Sequence, residues 1–362
     1  MHLSRITIVC VLLLALCAWG NPAASLKAGK AELKSAGALA FGPDGILFVG
    51  DSVGGAVFAL DTGDKTKKSA AAKVEIKGIN EKIAALLGTA ADQILVNDMA
   101  VNPMSKNVYL SVSRGRGPDA IPVILRTSAS GKLEELALDN IAHSKVELPN
   151  LPDPAAKTRG GSPRMEAITD LAYADGRVII AGLSNEEFAS NLRSVPFPFA
   201  AADRGTAVEI FHGAHGRFET NAPVRTFTTY SIKNESHILA AYTCTPLVTF
   251  KTSDLKPGNK VMGTTIAELG NRNRPLDMIV YKKGGGDWIL MNNSSRGVMK
   301  MSAEKLDTYK SITAQTDITG VPYETIASLK GAQQLDRYDE ANALVLLSGE
   351  TGAMDLVTVA LP

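Results

Sequence analysis

The sequence predicts an all-β fold: a six-bladed β-propeller whose ring is closed by an N-terminal strand joining the C-terminal blade. Three observations carry this. Most apolar segments are short, alternating, rich in Val, Ile, Thr, Phe and Tyr, and bounded by Gly, Asp, Asn or Pro, which is the pattern of half-buried strands. Six hairpin-like stretches align on their first strand, as repeated blades would. Helical patterning is sparse, confined to Ile79–Asp92 and Ser184–Ser194.

The chain opens on "MHLSRITIVCVLLLALCAWGNPAAS", with a basic start (His2, Arg5), an apolar run from Ile6 to Trp19, and then small residues. This is the grammar of a signal peptide over residues 1–24, and the run is short for a membrane span. Residues 25–362 then form a single propeller domain, exported to a periplasmic or extracellular location. No later segment is long and apolar enough to span a membrane. Two cysteines, Cys10 and Cys17, fall in the leader, so Cys244 has no intramolecular disulfide partner. It reads as a small buried thiol with no base visible beside it in the sequence.

The six aligned hairpins are "GALAFGPDGILFVGDS", "NDMAVNPMSKNVYLSVS", "TDLAYADGRVIIAGLS", "SHILAAYTCTPLVTF", "LDMIVYKKGGGDWILMNNS" and "QQLDRYDEANALVLLSG". Their first strands begin at Ala38, Asp98, Asp170, His237, Asp277 and Gln334. Outer strands follow in series: "GGAVFALDTG" and "AKVEIKGI" in the first unit, "TAVEIFHGA" and "APVRTFTTY" in the third, "VMGTTIAELG" in the fourth and "YETIASLKG" in the fifth. The last unit ends in "NALVLLSG" and "DLVTVALP" and lacks an outer strand, which "KAELKSAG" near the N-terminus would supply. Such closure removes the exposed edges of an open array.

The stretch "LAFGPDGILFVGDS" resembles the paired inner strands of blades in the NHL and SMP-30/gluconolactonase-like propellers, where an apolar strand, a P-D-G turn and a second apolar strand recur. The resemblance covers the hairpins, about a third of the chain, and it is one of blade grammar. It therefore speaks to fold more than to function.

In a propeller the first strand of each blade lines the central channel. Asp98, Asp170, His237, Asp277 and Gln334 would then ring one mouth, joined by the ends of second strands (Arg114, Asn185, Asn293) and by segments leading into first strands (Arg164, Arg274). Carboxylates gathered on an axis raise one another's pKa unless something positive sits among them. A metal ion or an inserted Arg or Lys would satisfy them. The resemblance to SMP-30-like and paraoxonase-like propellers implies the metal, since those hold a divalent cation on the axis. Asp98, Asp170 and Asp277 are the expected ligands of one divalent ion, with His237 as a fourth ligand or a general base and Arg114, Arg164, Asn185, Arg274, Asn293 and Gln334 around a bound ligand. The competing reading is that an Asp before a strand satisfies backbone N–H groups nearby.

Function then divides in two. One reading is a propeller that binds a small molecule or protein at the channel mouth. The other is a metal-dependent lactonase- or esterase-like hydrolase using the same axial site. A formal net charge of +1 argues against nucleic acid as partner. The sequence has no G-x-S-x-G elbow, Walker loop, H-E-x-x-H, C-x-x-C-H or dinucleotide fingerprint.

Overall fold

Alternation of buried and exposed residues along short segments produces six sheets arranged in a ring, antiparallel except where Lys260–Met262 pairs in parallel with Thr206–His212. The computed structural model describes residues 22–362 apart from 69–71, 118 and 159. The leader expected over 1–24 lies, up to residue 21, outside the described residues, as do Cys10 and Cys17.

Blades are numbered in chain order, each from its channel-lining strand outward. Blade I contains Leu39–Phe41, Ile46–Asp51, Ala56–Asp61, Ile141–Glu147 and Lys27–Gly29; blade II contains Ile94–Val101, Val108–Arg114, Ile121–Thr127 and Glu134–Glu135. Blade III contains Asp170–Ala174, Arg177–Leu183, Ser190–Pro196, Thr206–His212 and Arg217–Glu219; blade IV contains Thr226–Ile232, Glu235–Ala241, Pro246–Lys251, Thr264–Leu269 and Ile318–Gly320. Blade V contains Pro275–Lys283, Gly286–Asn293, Met299–Ser302 and Tyr323–Thr325; blade VI contains Ala332–Arg337, Asn342–Ser348, Met354–Ala360 and Glu75–Ile76.

The expected six-bladed propeller is present, but the blades do not follow one another around the ring in chain order. Contacts between inner strands run I–III–IV–V–VI–II and back to I. The core follows the same order, as six apolar clusters that each lie between two neighbouring blades. Phe48 meets Ile180 across I and III, Ile210 meets Phe250 across III and IV, and Leu239 meets Met291 across IV and V. The ring is completed by Leu290 with Val345, Leu346 with Leu110, and Tyr109 with Leu47.

The order departs from a simple series because the chain leaves blade I after three strands. Residues 75–76 then add the outer strand of blade VI, and blade II is built beside it. Ile141–Glu147 finally returns to blade I, pairing with Ala56–Asp61. Thus "AKVEIKGI" closes blade VI, and the N-terminal segment does not. Lys27–Gly29 pairs instead with Ile141–Glu147, and Asp51 anchors the next stretch by accepting the N–H groups of Lys34 and Ser35 at 2.9 and 2.8 Å. The physical reason is burial. Ile76 is 2% exposed in the cluster between blades VI and II, whereas Lys27 and Glu32 lie exposed and offer little apolar surface to a closing blade.

Two further expectations change. Ser184–Ser194 is not helical: Ser190–Pro196 is the third strand of blade III, with Leu192 and Val195 in the core and Phe197 just beyond it edge-on to Phe48 at 4.9 Å. In blade IV the inner strand is Thr226–Ile232, so "SHILAAY" is the second strand rather than the first. The helix expected from Ile79 is present as Ile79–Leu87, which buries Ile79, Ile83 and Leu87 on one face and ends at Gly88 with φ of 63°. No helix among the described residues is long and apolar enough to cross a membrane.

Closure by a two-residue strand makes a specific prediction. Ile76→Ala should destabilise the protein by about 2–5 kcal/mol, the usual cost of emptying a buried Ile site. Ile121→Ala, at a position 55% exposed, should change stability by under about 0.5 kcal/mol. Denaturant unfolding of the two variants checks this, and equal effects would refute the closing role of Ile76.

Candidate functional site in the central channel

The inner strands enclose a cavity of about 600 Å³. Asp98, Asp170 and Asp277 line it from the inner strands of blades II, III and V, and Asp336 lies further along the inner strand of blade VI. The walls include Phe41, Tyr173, Phe227, Met278 and Tyr338. The lining then continues to the first hairpin turns of blades II and VI, where Pro103, Lys106, Asp339 and Glu340 form the rim. The cavity therefore runs from the carboxylates toward the face that carries those turns.

Each aspartate has a defined backbone task. The Asp98 carboxylate accepts the N–H of Leu39 in blade I at 2.6 Å and that of its own neighbour Met99 at 2.7 Å. Asp170 accepts Phe227 N–H of blade IV and Leu171 N–H, both at 2.7 Å. Asp277 accepts Leu335 N–H of blade VI at 2.7 Å, while its own N–H donates to Asn292 Oδ1 at 2.7 Å. Asp336 accepts Val101 N–H of blade II at 2.7 Å and Arg337 N–H at 2.6 Å. Four of the six blade junctions are thus pinned by a carboxylate from one inner strand to a backbone amide of the next. At the I–III junction Ser52 serves instead, donating to Ile168 O at 3.1 Å and accepting Ile168 N–H at 3.2 Å.

The charges are correspondingly perturbed. Burial deep in the ring, and then Asp170, push Asp98 well above the usual carboxylate range. Burial, and then Asp98, do the same for Asp277. Burial pushes Asp170 up to about 7 and Asp336 up to about 6, with accepted backbone N–H bonds pulling in the opposite direction. For Asp336, Lys106 and Arg337 add a smaller downward pull.

Asp98, Asp170 and Asp277 share this cavity; the other expected site residues do not line it. His237 lies near the beginning of the second strand of blade IV, 8% exposed, with Nδ1 2.9 Å from Glu235 O. The one-strand shift in blade IV removes it from the axial row, where Thr226 stands in its place. Arg164 clamps a junction, donating to the carbonyls of Ser52, Pro152 and Val53 at 2.8, 3.2 and 3.2 Å. Asn293 is 5% exposed and held by Asn273 at 2.9 Å and by the Gly297 carbonyl at 3.1 Å. Gln334 donates to Asn97 O at 3.2 Å across the VI–II junction. Arg114 and Asn185 end or follow second strands and are exposed. Arg274 is also exposed, in the field of Arg225 and Glu166, which pair at 2.5 Å. These second-strand ends and lead-in segments sit at the face opposite the hairpin turns, away from the cavity rim.

Asp336 is absent from the expected set, yet the sequence holds a signal for it. It lies two residues after Gln334 in one strand, and period-two alternation keeps such residues on one face. Among the described residues, one group of His, Cys, Asp or Glu donors gathers with its ligand atoms within 4.8 Å, and it is not the axial set. It is His212, His215 and Cys244, at the seam between blades III and IV. This group could hold a metal ion.

No protein-family profile matches the chain, and no curated protein matches it. Among solved structures, the chain is similar to a putative oxidoreductase (glucose dehydrogenase) from Thermus thermophilus, at 11% identity and TM-score 0.33, over 92% of this chain and 100% of that one. It is likewise similar to the PQQ-bound aldose sugar dehydrogenase of Streptomyces coelicolor, at 9% identity and TM-score 0.33, over 92% and 96% of the two chains. The WD40 propeller domain of Doa1 is similar at 8% identity and TM-score 0.32, over 92% and 95%. Likeness at this level carries no information about chemistry.

The axial carboxylates generate two measurable expectations. Asp98→Ala leaves Leu39 N–H without its acceptor and should cost about 1–3 kcal/mol in denaturant unfolding. The pH dependence has a definite sign. Asp170 and Asp336 have folded pKa values of about 7 and about 6, above the unfolded value near 4. The folded state therefore holds more protons than the unfolded state between those limits, and stability falls as pH rises through them. Thermal melts at low ionic strength should decline from about pH 4 to about pH 7, and Asp170→Asn should flatten part of that slope. An unchanged slope in the variant would contradict the assignment.

Proposed function

We propose that this protein is an exported binding propeller that takes a small, positively charged ligand into its axial cavity. The observation that supports the reading is a set of four buried carboxylates, Asp98, Asp170, Asp277 and Asp336, on one cavity of about 600 Å³ whose rim adds Asp339 and Glu340 against Lys106 and Arg337 and whose walls include Phe41 and Tyr173. That volume suits a small organic molecule and far exceeds a bare ion. The carboxylates are perturbed by burial and, at Asp98 and Asp277, by neighbouring carboxylates, and such groups in a cavity mark candidate functional sites. A cation entering among them relieves their repulsion and favours their ionised forms. An ammonium or guanidinium group can meet the carboxylate oxygens while the rest of the ligand packs on Phe41 and Tyr173.

A divalent ion on Asp98, Asp170 and Asp277 is the competing occupant. The carboxylates already accept backbone N–H bonds, so each would offer only its remaining lone pairs. The described cavity lining contains no histidine, so acid–base groups for hydrolysis at this site would have to come from the carboxylates or from Lys106, Tyr173 and Tyr338.

The test is calorimetric titration of the mature protein with choline and agmatine, in parallel with Ca²⁺, Mn²⁺ and Zn²⁺. Binding of an organic cation is expected to be saturable at about pH 8, weaker by about tenfold or more at about pH 5, and lost in the Asp170→Asn, Asp277→Asn double variant. Binding of a divalent ion alone, abolished by the same variant, would replace this reading with the metal one. A screen of lactones and esters decides separately whether any turnover occurs.

A further inference from the structure

We propose that His212, His215 and Cys244 form a binding site for one zinc-class transition-metal ion, separate from the axial cavity. Cys244 is distant in sequence from the two histidines, and blade packing brings them together. His212 ends the outer strand Thr206–His212 of blade III. His215 lies in the turn Gly213–His215, and the chain returns as Arg217–Glu219 against the same strand. Cys244 sits in the turn between the second and third strands of blade IV, where its φ is 65°. That turn is held in place: Cys244 N–H donates to Asn273 O at 2.6 Å, and Thr245 Oγ1 donates to Gly270 O at 2.8 Å. One ring nitrogen from each histidine and the cysteine sulfur all lie within 4.8 Å of one another.

Glu219 gives the cluster the organisation of a metal site. Its two carboxylate oxygens engage Nδ1 of His212 at 2.8 Å and Nδ1 of His215 at 2.6 Å. Both rings are thereby oriented by one carboxylate, which fixes Nδ1 as the protonated nitrogen and leaves Nε2 with a free lone pair. The ring centroids are 3.9 Å apart. A second observation is independent of the clustering. His212 is 2% exposed, and its Nε2 is buried with no hydrogen-bond partner. A buried acceptor left unmatched costs stability unless something occupies the position it faces.

The donor set selects the ion. Two imidazole nitrogens and a sulfur suit a borderline ion such as Zn²⁺, whereas Ca²⁺ and Mg²⁺ require oxygen ligands. Binding replaces the Cys244 thiol proton, which passes to solvent, with a metal–thiolate bond. The His215 side chain is 42% exposed and Cys244 is half-buried, so the cluster is accessible from solvent. A site with three protein ligands and one open position can take a water or an exogenous ligand.

The experiment uses the mature protein stripped with a chelator and then titrated with Co²⁺, followed by Zn²⁺. One equivalent of Co²⁺ should produce a thiolate-to-cobalt charge-transfer band in the near ultraviolet and tetrahedral d–d bands, all removed when Zn²⁺ displaces the cobalt. Cys244→Ser should abolish the charge-transfer band, and Glu219→Gln should weaken Zn²⁺ binding by about 10–100-fold. Should Cys244→Ser fail to fold, His215→Ala, at an exposed position, should lose the tetrahedral bands in a protein whose far-ultraviolet circular dichroism matches wild type. Folded wild-type protein that gives no charge-transfer band, or a band that survives in Cys244→Ser, would overturn the proposal.

Discussion

The ring depends on a single repeated bond, a carboxylate at the channel accepting the backbone N–H of the neighbouring blade's inner strand. A propeller has an intrinsic weakness at its axis. Inner strands of adjacent blades converge there without pairing, so their inward amide groups have no ladder partner. Asp98, Asp170, Asp277 and Asp336 supply that partner at four junctions. An aspartate is short enough to reach across and has two oxygens, so it satisfies a neighbour's amide and, at three of the four positions, one of its own strand as well.

The same choice creates the molecule's main electrostatic tension. Pinning the blades with aspartates concentrates acidic groups where solvent is scarce. A ring pinned by Ser, as at Ser52 between blades I and III, would carry none of this charge. The structural device and the candidate binding feature are therefore the same atoms, and the raised pKa values follow from the architecture before any ligand is considered. A ligand that neutralises the cluster would also tighten the junctions that the cluster holds.

The blade grammar is legible in the sequence because it is local. Asp98, Asp170 and Asp277 each precede an apolar run and a turn, and their shared position at the channel follows from strand alternation. Blade IV defeats the pattern because its inner strand, "TFTTYSI", lacks the Asp-apolar opening, while "SHILAAY" followed by a turn imitates it. That one-strand slip is what draws His237 into the axial row. The order of blades and the closure of blade VI by Glu75–Ile76 are long-range pairings that no local pattern records. The same holds for His212, His215 and Cys244: "HGAH" and "YTCT" carry no spacing that joins them, and only the packing of blade III on blade IV does so.

The internal closing strand also bears on how the molecule folds. Val74 N–H bonds to Thr358 Oγ1, a partner 284 residues later in the chain. Ring closure must therefore wait until the final blade exists, and until then the early segment around Ile76 has no sheet to join. Contacts of such sequence separation form late and slowly, because the entropy of bringing distant segments together is lost before the contacts offset it. Blade II and blade I, by contrast, can form against each other once the chain has reached Glu147. A pair formed by blades I and II would present two open sides, one toward blade III and one toward blade VI, to the four blades still to come.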